Sequence, residues 1–208
     1  MTLRLGPRKF ALTAHVISSI GWAGGVASFL ALAIAGLTSS NVALIRGSYV
    51  AMDLIYWSVI IPLGLGSLAT GLVSSLGTEW GLFRYYWVVA KLLLTVPATM
   101  LMLMHLQPVG RMADLAMEET LSSGDLMGPR MQLLAYAAAA LAVLLATTAL
   151  STYKPRGRTQ YGAGKRSLEL PTTAIGDRRD LGFKFLFGIL GAAIVALAVV
   201  HVTGLHGH

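Results

Sequence analysis

Three ionisable side chains, His15, Lys91 and His201, sit inside long apolar stretches of this sequence, and a fourth, His105, ends another. A fixed charge at the centre of a bilayer costs about 2.5–3.5 kcal/mol on insertion scales, so such groups mark candidate sites. Imidazole is a standard axial ligand for haem iron and also suits copper, and a lysine beside it can hold an anionic group such as a propionate. His15 and Trp22 are seven residues apart, two turns along one helical face, and Trp22 leads into Gly24 and Gly25. Lys91 follows Tyr86 and Trp87 by about the distance that His15 follows Phe10, which sets the two at similar depth if their helices run the same way. The plainer readings stand beside these. Lys91 can snorkel to the headgroups next to Arg84, Tyr85, Tyr86 and Trp87, and His15 can be a hydrogen-bonded interfacial histidine.

A second group gathers toward the other face, with Asp53, Tyr56 and Trp57 on the side of His105 and His201. His206 and His208 follow His201, so a divalent-metal site is chemically open there, although no carboxylate spacing enforces it. Met100, Met102 and Met104 alternate, which on a helix leaves only Met102 and His105 on a common face. That run reads as packing before a copper relay. The sequence has no phosphate-binding loop, no HExxH pair and no GxSxG elbow, and zero Cys removes disulfides and thiolate sites. No catalytic residue is assigned, and whether the protein is an enzyme stays open.

The elements that must position these groups are membrane helices. Of 208 residues, 55% are hydrophobic and only 12% charged, with a mean hydropathy of +0.69. Soluble domains carry about 25% charged residues, so a soluble fold lacks its solvating surface here. Backbone groups in lipid must bond within their own segment, and a helix crosses the ~30 Å hydrocarbon core in roughly 20 residues. Five helices are expected, over about 10–37, 50–76, 85–106, 131–152 and 181–205. The fold class is all-α, a polytopic bundle forming a single membrane domain.

The net charge of +7 sits in juxtamembrane stretches, which speaks for orientation rather than nucleic acid. Arg4, Arg8 and Lys9 precede the first helix, and the loop over 153–180 carries Lys154, Arg156, Arg158, Lys165, Arg166, Arg178 and Arg179. The N-terminus is therefore expected in the cytoplasm, the C-terminus outside, and the 153–180 loop as a basic cytoplasmic segment along anionic headgroups. Arg46 falls in the first loop on this reading, and a short interfacial helix follows the Pro108 and Gly110 break. Pro62 and Pro97 lie inside helices and predict kinks. Gly21 and Gly25, Ser67, Gly71 and Ser75, and Gly188, Ala192 and Ala196 form small-residue faces that point inward or to a partner chain, a second copy or another membrane subunit.

His15, Trp22, Gly24 and Gly25 spell H-x6-W-x-G-G, and Trp87 and Lys91 spell W-x3-K-L on a helix ending in His105. This combination resembles the group of bacterial membrane proteins that includes the copper-resistance D family and the HemJ-type haem-dependent protoporphyrinogen oxidases. Thr78, Trp80, Gly81, Leu82, Arg84, Tyr85 and Trp87, with Tyr153, Lys154 and Pro155, also look like a set of uncharacterised actinobacterial membrane proteins. The resemblance implies a plasma-membrane bundle in which His15 ligates haem b or copper, Lys91 lies near the reacting end, and Trp22, His105 and His201 complete the candidate set. The oxidase's Pro-Arg-Leu run is absent, since Val26, Ala27, Ser28 and Phe29 stand there. The alternative is a membrane packing or accessory subunit with no cofactor.

Overall fold

The computed structural model describes residues 5–77, 85–118 and 126–153, and these are helical throughout apart from short turns. Helix α1 spans Leu5–Thr38, α2 Val42–Ile55, α3 Ile61–Leu76, α4 Tyr86–Met104, α5 Leu106–Met117 and α6 Met127–Tyr153. A π-helical turn at Tyr56–Ile60 joins α2 to α3 without a break, and His105 alone separates α4 from α5. Four helical segments are long and apolar enough to cross a membrane: 6–38, 42–76, 86–117 and 127–153. The expected fifth helix over 181–205, the 153–180 loop beyond Tyr153, and His201 lie outside the described residues.

Residues 42–76 run antiparallel to α1 along nearly its whole length. Gly36 meets Tyr49, Gly25 meets Val59 and Ile60, Gly21 meets Leu63, and Gly71 meets His15. A Cβ at Gly21 would lie 2.6 Å from Leu63 Cδ1, so the helices approach because there is none. The Gly21 and Gly25 face is thus taken up inside the chain.

Helix α2 begins eight residues before the expected start near Val50. Asn41 caps it, its side-chain oxygen accepting from Ala43 N at 2.9 Å and Leu44 N at 3.3 Å. Arg46 therefore rides on the helix instead of in a loop. Hydropathy marks only the lipid-facing length, whereas capped helices run past it: 35 residues make about 50 Å at 1.5 Å each. At Pro62, which cannot donate to Ser58, the chain widens one turn earlier, with Ile61 N bonded to Tyr56 O. At Pro97 the chain stays helical from Tyr86 to Met104. Pro108 does not break α5, because it falls in the first turn, where a backbone N–H has no helical acceptor.

The core is formed by Trp22, Phe29, Tyr49, Met52, Tyr56, Leu94 and Val143, among others. Two of its buried hydroxyls bond to their own helices, Ser48 to Leu44 O and Thr99 to Thr95 O at 2.8 Å each.

Candidate functional site

Two clusters of chemistry-bearing side chains occupy different levels of the bundle. The first lies toward the start of α1. His15 Nδ1 is 3.0 Å from the Ser67 carbonyl and 3.4 Å from Thr70 Oγ1. A carbonyl only accepts, so the proton is assigned to Nδ1 and the lone pair of the neutral ring to Nε2. Nε2 makes no hydrogen bond among the described residues. The ring fits because Gly71 has no side chain, a Cβ there falling 3.0 Å from His15 Cε1. Ser19 and Ser67 join their hydroxyls at 2.8 Å across the same seam.

Lys91 on α4 lies eleven residues before Met102, against seven for His15 before Trp22, so the two differ by about 6 Å in level along the bundle. Its Nζ donates to Ser151 Oγ on α6 at 2.6 Å, and Ser151 Oγ donates to Thr147 O at 2.9 Å. The ammonium group thus reaches a neighbouring helix.

The second cluster surrounds a cavity of about 70 Å³ between α1, the π-turn, α4 and α6. Trp22, Phe29, Tyr56, Met102, His105 and Tyr136 line it. Tyr56 donates its hydroxyl to the Met102 carbonyl, one of the last four of α4 and so short of helical partners. His105 Nδ1 lies 2.7 Å from Leu101 O, and its ring meets that of Tyr136 edge-on, with centroids 3.7 Å apart. Here too Nε2 has no hydrogen bond among the described residues.

Gly64 touches Trp22 and Met102 at once, which sets those two at one level. His15 lies seven residues before Trp22 on α1, and His105 three residues after Met102 on the parallel α4, so they are separated by about 15 Å along the bundle. His15 and Lys91 share one cluster, Trp22 and His105 the other. The two histidines cannot ligate one metal ion.

Phe29, Gly64 and Tyr136 belong to the second cluster without having been marked in the sequence. Tyr136 is the single aromatic residue in the Ala-rich stretch of α6, and that contrast was the available signal. Farther out, the Arg130 guanidinium lies 5.6 Å from the Tyr49 ring centroid. No group of three or more His, Cys, Asp or Glu side chains suited to a metal occurs among the described residues.

Among the described residues, fold and site define an all-helical arrangement with four helices long and apolar enough to cross a membrane and two clusters that each contain a histidine. No protein-family model, curated protein or solved structure matches the chain.

Proposed function

We propose that this is a multi-pass protein of the bacterial plasma membrane that handles haem b, with His15 as axial imidazole and Lys91 as the counter-charge for a propionate. The observation that carries the reading is the bond from His15 Nδ1–H to the Ser67 carbonyl, which leaves Nε2 unengaged. Metal-bound histidines usually donate their other ring nitrogen to such a group, which fixes tautomer and orientation. One axial imidazole suffices for haem, whereas a three-donor copper site has no counterpart around His15 among the described residues. A macrocycle does not fit the interior cavity of about 70 Å³, since ligands of even drug size need roughly 300 Å³ or more. His15 is half-buried outside that cavity, and it is the residue that would hold the group. Haem supplies one-electron chemistry when bound. The chain's own part is to ligate, to orient the ring through Ser67 and Thr70, and to balance charge with Lys91. The same reading keeps a fifth span over 181–205, a cytoplasmic N-terminus and an outer C-terminus.

The test is an absorption spectrum of the purified protein, oxidised and dithionite-reduced, with iron and copper quantified on the same sample. A Soret band that shifts on reduction and is lost in His15→Ala is the expected result. Full cofactor content in His15→Ala, or a colourless protein from haem-replete cells, overturns it.

A second reading, a cofactor-free packing or accessory subunit, is favoured by a different observation. Lys91 and His15 each have a partner inside the chain, so the polar groups are accommodated without any ligand.

A further inference from the structure

The cavity between α1, the π-turn, α4 and α6 lies at the middle of every span that walls it. Trp22 and Ala140 are the central residues of the spans 6–38 and 127–153, Ile60 is one past the centre of 42–76, and Leu101 and Met102 straddle that of 86–117. Most of the wall is buried. The four lining residues that are partly exposed fall on two helices, Leu101 and His105 at the end of α4 and Tyr136 and Ala140 on α6. Each pair is four residues apart, one turn along a helix face, so the two ridges frame a side opening between α4 and α6. The His105 and Tyr136 rings, with centroids 3.7 Å apart, close one end of it.

We propose that this cavity is a binding site for a small apolar gas molecule dissolved in the membrane, admitted sideways between α4 and α6. The proposal rests on the membrane reading of the four spans and stands whether or not His15 holds a haem. The wall does not suit an ion, since no Asp, Glu, Lys or Arg lines it and an unbalanced charge is costly to bury. Polar solutes find few partners there, because Tyr56 gives its hydroxyl to Met102 O and His105 its Nδ1 to Leu101 O. Size sets the upper limit. An apolar protein cavity of about 150 Å³ stays dry and takes up benzene or xenon, so the cavity of about 70 Å³ has room for roughly half a benzene ring. That admits xenon or a diatomic gas and leaves out a quinone ring or any length of acyl chain beyond its last few carbons. An opening at mid-span faces the part of the hydrocarbon core farthest from water, which favours apolar solutes over polar ones.

The experiment uses xenon as the probe and follows isotope-labelled methionine methyls by NMR, on the full chain in lipid nanodiscs. Met102 lines the cavity at 8% exposure, while Met100 and Met104 on the same helix are 59% and 67% exposed. As xenon pressure rises, the Met102 methyl should shift along a saturating curve, and Met100 and Met104 should drift linearly with the gas dissolved in the lipid. Ala140→Leu replaces a methyl by an isobutyl group at the opening and should abolish the saturation at Met102. Val143→Ala enlarges the cavity and should increase the amplitude of the Met102 shift. Contacts of the Met100 and Met104 methyls with acyl methylenes test the membrane reading separately. The proposal is overturned by a linear Met102 response in the unaltered chain, by saturation that persists in Ala140→Leu, by an unchanged amplitude in Val143→Ala, or by contacts from acyl-chain ends to Met102 that reveal a lipid tail seated in the cavity.

Discussion

Tyr56 gives its hydroxyl proton to the main-chain carbonyl of Met102. The bond joins a turn that has widened from α to π with the last turn of another helix, so two irregularities support each other. The π-turn aims the tyrosine, and the last turn of α4 offers the acceptor.

Tyr56→Phe should destabilise the protein by about 1 kcal/mol or less. The Met102 carbonyl keeps the His105 N–H at 3.2 Å, so one of its two acceptor positions remains filled. Unfolding in a mixed-detergent titration measures the loss, and faster amide exchange at His105 places it at the α4–α5 junction.

Glycine substitutions should divide sharply. Gly64→Ala would set a Cβ 2.9 Å from Met102 Sδ and 3.1 Å from the Trp22 ring, and should cost about 1–3 kcal/mol as overpacking. Gly24→Ala meets nothing within 4 Å and should be neutral, or stabilising by up to about 1 kcal/mol through helix propensity. Equal effects in the same unfolding assay would contradict the α1–α3–α4 packing.

Ser151→Ala removes the acceptor of the Lys91 ammonium and should destabilise by about 1–3 kcal/mol, whereas Lys91→Met replaces the charge with an apolar chain of similar length and should be neutral or better. If Lys91 serves a bound propionate, Lys91→Met keeps its stability and loses haem retention. The two readouts separate structure from ligand binding.

Four successive spans return the chain to the side it left. Arg8→Cys and Tyr153→Cys should be labelled by an impermeant maleimide from one side, and Ser40→Cys and Glu118→Cys from the other. Because the sequence has no Cys of its own, each variant reports a single position. Labelling of Arg8→Cys and Tyr153→Cys from opposite sides refutes the arrangement.

Four of the five apolar runs were legible as helices long enough to cross a membrane, because lipid forces backbone groups to bond locally. Gly21 and Gly25 were readable as a close-approach face. Their partners Leu63, Val59 and Ile60 were not, since a small-residue face says nothing about what covers it. The early start of α2 escaped hydropathy because Asn41 caps a turn that extends beyond the core. The sharing of one cavity by Trp22 and His105, and of one cluster by His15 and Lys91, depends on the level that Gly64 sets between α1 and α4. No spacing within a single helix encodes it.

The π-turn at Tyr56–Ile60 amounts to one residue more than a regular helix needs. Each helical residue turns the chain by about 100°, so deleting one residue within 56–60 would restore a plain α-helix and swing α2 by that angle relative to α3. Tyr49 would leave Gly36, and Asp53 would leave the neighbourhood of Gly110, while the Leu63–Gly21 and His15–Gly71 contacts below stayed in place. A one-residue deletion would thus rotate half of a membrane span against an unchanged other half, which makes the length of this turn, more than the identity of its residues, the setting that aligns the two ends of the bundle.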